Sequence, residues 1–125
     1  MGFIDGLLGN ASEIDSEKLQ AGLVKLLAEG ESVERAYQLV RDLIVFTNKR
    51  LIFVDKQGIT GKKIEYHSIP YRSIIHFSIE TSGHFDLDAE LKIWISGSST
   101  PIEREFNRRL NIYEVQSVLA YYVLK

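Results

Sequence analysis

Between Lys49 and Lys63 the chain carries five basic residues, Lys49, Arg50, Lys56, Lys62 and Lys63, against one acid, Asp55. Ammonium and guanidinium groups pair with phosphate oxygens. Lys49, Arg50, Lys62 and Lys63 are therefore candidates for holding an anionic ligand such as a phosphate headgroup. The competing reading is a solvated hairpin whose lysines keep sheet edges from pairing with other chains. A second charged group follows: Glu80, Asp86, Asp88 and Glu90, with His84 among them. Asp86, Asp88 and Glu90 are two residues apart, so on a strand they share one face. Clustered carboxylates suit a hard cation, but a calcium loop needs Gly at its sixth position, where Leu91 stands. The regular alternation of these acids with apolar residues favours a polar outer face over a metal site.

Taken together, a basic and an acidic hairpin on one small domain are what a head-to-tail contact between copies requires. Such a heterologous contact closes into a ring when the rotation per subunit allows. Lys62 and Lys63 on one side, with Asp86, Asp88 and Glu90 on the other, are the expected oligomer contacts. Trp94, the only tryptophan, alternates with the core residues of its strand and so points outward with Glu90 and Lys92. There it is either an interface anchor or is covered by a helix of its own subunit.

Other chemistry finds little support. No cysteine is present, which removes thiolate catalysis, disulfides and zinc–thiolate sites. His67, His76 and His84 lie on or near different strands without metal-ligand spacing. Gly58-Ile59-Thr60-Gly61-Lys62 lacks the spacing of a phosphate loop, and Lys63 stands where that loop needs Ser or Thr. No serine sits in a nucleophile elbow. The expectation is a domain without catalytic activity, metal or cofactor. A net charge of −2 over 125 residues argues against a dedicated nucleic-acid partner. The opening Met-Gly-Phe-Ile-Asp lacks the basic start of a secretory signal, so a cytoplasmic location is expected.

The elements that position these residues follow from periodicity. Leu19, Leu23, Leu26 and Leu27 recur at three- and four-residue intervals within a helical pattern over Glu13–Glu29. Ser12 and Asp15 suit its start, and Gly30 its stop. Phe3, Ile4, Leu7 and Leu8 form a small apolar cluster ahead of it. Leu43–Phe46 and Leu51–Val54 are β-rich runs around the polar turn Asn48-Lys49-Arg50. Both runs are apolar on two faces, so something must pack outside them: the N-terminal helix or a neighbour. Lys62–Ile69 and Arg72–Glu80 read as strands, the second with Ile75, Phe77 and Ile79 alternating. Leu87, Ala89, Leu91, Ile93 and Ile95 give the cleanest period-two signal. Ile102, Arg104 and Phe106 suggest a last short strand. Asn111 and Glu114 then open a helix whose apolar face is Ile112, Val115, Val118, Leu119 and Tyr122. Ser32–Val40 fits either helix or extended chain.

The run Arg41–Ile74 with Glu80–Ile95, including Thr47-Asn48-Lys49-Arg50-Leu51, Gln57-Gly58 with Gly61-Lys62, and Ile69-Pro70-Tyr71, resembles the bacterial pleckstrin-homology domain family. The resemblance covers Glu31 to the C-terminus. It implies a mainly β fold, a split antiparallel barrel of about seven strands with a C-terminal capping helix, here preceded by an added N-terminal helix. Residues 1–30 would then form the N-terminal segment and residues 31–125 the pleckstrin-homology-like domain. It also implies no known catalysis, no agreed ligand and a tendency toward ring-like homo-oligomers. The expected role is a self-assembling interaction or scaffold domain with protein partners. The alternative is a module binding anionic lipid at a membrane surface through the basic hairpins.

Overall fold

The computed structural model describes residues 16–39, 42–57, 63–81, 89–106 and 111–125. Within them, helix α1 (Ser16–Gly22) precedes seven strands, and helix α2 (Ile112–Val123) closes the chain. The strands are β1 (Val33–Gln38), β2 (Asp42–Thr47), β3 (Arg50–Gln57), β4 (Lys63–Pro70), β5 (Ile74–Glu80), β6 (Ala89–Ile95) and β7 (Ile102–Phe106). They form two antiparallel sheets, β1-β2-β3-β4 and β5-β6-β7, joined by a single 3-10 turn over Tyr71–Ser73. The expected mainly β architecture with a helix at each end is what the structure shows.

Two apolar layers explain the doubly apolar runs. Ile44, Phe46, Leu51 and Phe53 face inward, meeting Leu91, Ile93 and Phe106 of the second sheet and Ile112, Val115, Leu119 and Tyr122 of α2. Leu43, Val45, Ile52 and Val54 face outward against Leu19 and Leu23. A strand buried on both faces cannot alternate, and these two do not. The covering element is the chain's own α1. At ~1.5–3 kcal/mol for each fully buried leucine, Leu19 and Leu23 alone are a substantial anchor.

The helical pattern over Glu13–Glu29 is only partly realised, and its first residues lie outside those described. α1 stops at Gly22, and residues 23–30 continue as turns. Part of the reason is local, since Gly is a poor helix residue. Part is tertiary: the Leu26 carbonyl accepts from Arg50 Nη2 at 2.7 Å instead of from a helical N–H, and Gln20 Oε1 takes the Val33 N–H at 3.0 Å. Gly30 then turns the chain at φ +80°. Within the ambiguous Ser32–Val40 stretch, Val33–Gln38 form strand β1, paired with β2. The strand expected from Arg72 starts two residues later, because Tyr71–Ser73 form the 3-10 turn.

At the other end Asn111 caps α2, its Oδ1 accepting from the Tyr113 and Glu114 N–H groups at 3.0 and 3.3 Å. Glu114 does not close a reciprocal capping box. Its carboxylate instead accepts from Arg35 Nη2 at 3.0 Å and the Tyr37 hydroxyl at 2.7 Å, tying α2 to β1.

Candidate functional site

The family-like Thr47-Asn48-Lys49-Arg50 turn is densely hydrogen-bonded. Thr47 Oγ1 accepts from the N–H groups of Lys49 (3.0 Å) and Arg50 (2.8 Å), which shapes the tight β2–β3 connection. Its proton goes to Glu31 Oε2 at 2.6 Å. Asn48 Oδ1 accepts from the Ser32 N–H at 2.8 Å, and its Nδ2 donates to the Gly30 carbonyl at 3.0 Å. Arg50 donates from Nε and Nη2 to the two Glu31 oxygens at 2.9 and 3.0 Å and from Nη1 to Ser68 Oγ at 2.9 Å. The motif thus clamps the α1–β1 connection onto the sheet. Its bonds reach Leu26 on one side and Ser68 on the other, so they cross the division drawn between residues 30 and 31.

The Glu31 side chain is only 1% exposed. Burial pushes its carboxyl up, but hydrogen bonds from Arg50, the Ala28 N–H and Thr47, with the Arg50 charge, outweigh that and hold it at about 2. A guanidinium matched this fully to a buried carboxylate has its donors engaged within the fold.

Of the four candidate anion-binding residues, three are described, and these lie apart. Lys49 is exposed at the β2–β3 turn, and Arg50 is held by Glu31. Lys63 is exposed at the start of β4, paired with Gln57, whereas Arg50 pairs with Pro70. Seven residues of strand therefore separate Arg50 from the Lys63 end of the hairpin, roughly 23 Å at ~3.3 Å per residue. Lys62 and the Lys56 side chain lie outside the described residues, as do Asp86, Asp88 and His84.

The outer face of β5-β6-β7 is where the remaining candidates gather. Register places Glu80, Glu90 and Glu105 in one row across three strands, and Ser78, Lys92 and Glu103 in the next. Lys92 Nζ lies 4.0 Å from Glu80 and 3.9 Å from Glu90. Partial desolvation and the neighbouring Glu103 push the Glu90 carboxyl up. At the far end of the same face His76 pairs with Trp94, their rings stacked at 4.3 Å. His76 is exposed and Trp94 half-buried, the indole lying against the histidine ring. Four carboxylates, one lysine and a stacked aromatic pair thus share one open sheet surface.

Sequence reasoning passed over the residue that ties the two sheets together. Arg104 of β7 contacts Asp42 Oδ2 of β2 through Nε at 3.0 Å, and Asp55 Oδ2 of β3 through Nη2 at 2.9 Å. Its guanidinium carbon sits 4.7 Å from the Phe53 ring centre. The available signal was its position: Arg104 shares the inward register of Ile102 and Phe106, where an unpaired charge would be costly. Tyr122 was read as apolar, yet its hydroxyl donates to Glu34, and burial together with that bond raises its pKa. Its ring stacks between Phe46 and Tyr71, at 5.7 and 4.7 Å. Among the described residues no group of three histidine, acid or cysteine side chains is placed to hold a metal ion. No helix there is long and apolar enough to cross a membrane.

Two sheets folded over one core, closed by a C-terminal helix, define a pleckstrin-homology-like domain. The chain belongs to the bacterial PH domain family, whose model matches residues 2–123, so the match takes in α1 as well as the barrel. It is 63% identical over 121 residues to the uncharacterized protein YjqA of Bacillus subtilis, covering 96% of this chain and 97% of that one. Identity to the uncharacterized protein YozO of the same organism is 39% over 114 residues, covering 91% and 94%. The crystal structure of a pleckstrin homology domain from Shewanella amazonensis matches with a TM-score of 0.84 and 54% identity, over 99% of this chain and 100% of that one. A pleckstrin-homology protein from Shewanella loihica matches at 0.80 and 46%, over 91% and 97%.

Proposed function

We propose that this domain is a non-enzymatic interaction module that assembles with copies of itself into a ring. The observation that carries this reading is the outer face of β5-β6-β7. There Glu80, Glu90, Glu103 and Glu105 flank one lysine and stop at the His76–Trp94 stack. An aromatic anchor beside a charged field is the composition of a contact that is both steered and specific. The complementary charge is Lys63 at the start of β4, on the other sheet, with Lys62 its neighbour in sequence. A contact between two different surfaces of the same molecule is heterologous, which is the kind that builds rings. The anionic-lipid alternative would rest on the lysines, since Arg50 is engaged by Glu31.

Native mass at low micromolar concentration tests the reading. The expected result is a discrete multiple of 14.3 kDa, shifted downward by Lys62→Glu with Lys63→Glu and by Trp94→Ala. A clean monomer, or an oligomer indifferent to both changes, would sink it. Co-sedimentation with acidic vesicles, lost at high salt, would move the assignment to the lipid alternative.

A further inference from the structure

Among the described residues β4 pairs only with β3, and β5 only with β6, so each presents an unpaired edge. Edge strands are normally guarded by charge or proline within them. β1 has Glu34 and Arg35, β4 has Lys63, Glu65 and Pro70, and β7 has Glu103, Arg104 and Glu105. β5 has no lysine, arginine, acid or proline from Ile74 to Ile79. Its alternation is specific all the same. Phe77 and Ile79 pack against the core from the inner face, while His76, Ser78 and Glu80 lie on the outer one. The start of β4 alternates in the same way. Ile64 and Tyr66 lie on the α1 side, Tyr66 40% exposed, and Lys63, Glu65 and His67 lie on the other.

We propose that β5 of one copy adds antiparallel to β4 of the next, with Glu80 opposite the partner's Lys63 and Phe77 opposite the partner's Tyr66. Side chains directly opposite share a face, and their match sets the register. Here Ile79 falls beside the partner's Ile64, so apolar side chains meet apolar ones and the acid meets a lysine. A shift by one residue in either direction sets Phe77 or Ile79 beside the partner's Glu65. A shift by two sets Glu80 against that carboxylate or carries it past the start of the partner's β4. Glu80 has room for the pair, its side chain being 71% exposed with Lys92 Nζ 4.0 Å away. The register shift between Ile74 and His76 ends the match. This pairing rests on the ring reading above and names the strands that make the contact. The outer face of β5 then continues into the inner face of the partner's β4, which brings the partner's body to the side of His76 and Trp94. Two different edges are used, so the contact repeats head to tail.

The chain has no cysteine, so engineered pairs report the register by disulfide formation. Two differently tagged full-length chains, one Glu80→Cys and one Lys63→Cys, are co-expressed and mildly oxidised, with far-UV circular dichroism to check folding. The expected product is a linked pair of unlike chains, twice 14.3 kDa in mass. It should form at least ~10-fold faster than from Glu80→Cys with His67→Cys, whose Cβ atoms lie beyond disulfide reach in this register. Ser78→Cys with Glu65→Cys, which keeps Glu80 and Lys63, should link as readily. Faster linkage to His67→Cys would mean parallel pairing and overturn the proposal. An oligomer of unchanged native mass that gives none of these products would overturn the edge pairing and leave the ring standing. A monomeric native protein would remove both.

Discussion

Arg50 shows why the chemistry of a side chain cannot be separated from its neighbours. By type and position it belonged with the lysines of a basic hairpin, and its partner, Glu31, lies nineteen residues earlier. The pair is bidentate, reinforced by Thr47 and the Ala28 N–H. Removing one charge leaves the other buried and uncompensated, which typically costs ~3–5 kcal/mol. Glu31→Gln should therefore lower unfolding free energy by about 3 kcal/mol in urea titrations at neutral pH, with the slope against denaturant unchanged. The acid side follows by linkage. Glu31 ionises near 2 when folded against 4.5 as its ordinary value, so the folded state holds its proton less tightly than the unfolded one. The stabilisation is full above 4.5 and is lost as pH falls toward 2. Stability measured across that window should drop in the native protein and drop less steeply in Glu31→Gln. Equal slopes would mean that other carboxylates carry the acid transition.

Strand β5 teaches a different lesson at the scale of the element. Strict alternation would put Ile75, Phe77 and Ile79 on one face, but Ile75 is 63% exposed, whereas Ile74 is buried. The register shifts between Ile74 and His76. A bulge inserts one residue and reverses the facing of everything before it. Ile75→Ser should accordingly change stability by no more than ~0.5 kcal/mol, as at other surface positions. Phe77→Ala, a deletion of side chain packed against the core, should cost ~3–5 kcal/mol. A large loss at Ile75 would place it in a contact between copies or refute the bulge. Period-two patterns thus made β6 legible, because the extra residue of the bulge sits on its partner, and misled at β5, because a bulge leaves no mark in a hydrophobic run. Helix α2 was legible to its individual core residues. The end of α1 was not, since it depends on Arg50 taking the Leu26 carbonyl from across the sheet. Of the candidate site, the outward facing of Trp94 and Glu90 could be read from alternation. The separation of Lys49 from Lys63 could not be read without the hairpin register.

Across the whole molecule, apolar surface and charge are divided between the two sheets. Strands β2 and β3 of the first sheet are buried on both faces, one beneath Leu19 of α1 and the following Leu23, so Leu19→Ala and Leu23→Ala should each cost ~2–5 kcal/mol. Together they should raise binding of a hydrophobic dye, since they uncover Leu43, Val45, Ile52 and Val54; unchanged dye binding would mean that other residues cover that face. The second sheet keeps its outer face open and charged, with four carboxylates around Lys92. In the proposed ring, attraction between that face and the lysine-bearing end of another copy would act through solvent, where the Debye length shrinks from ~10 Å at 0.1 M salt to ~3 Å at 1 M. Aromatic burial at Trp94 has no such dependence and strengthens with excluded salts such as sulfate. Native mass measured in rising sodium chloride should therefore fall toward the 14.3 kDa subunit if charge steers and holds the ring. In the same series Trp94→Ala should lower the mass already at 0.1 M. A mass that resists 1 M salt but collapses in Trp94→Ala would assign the contact to the aromatic end alone and remove the carboxylate row from the interface.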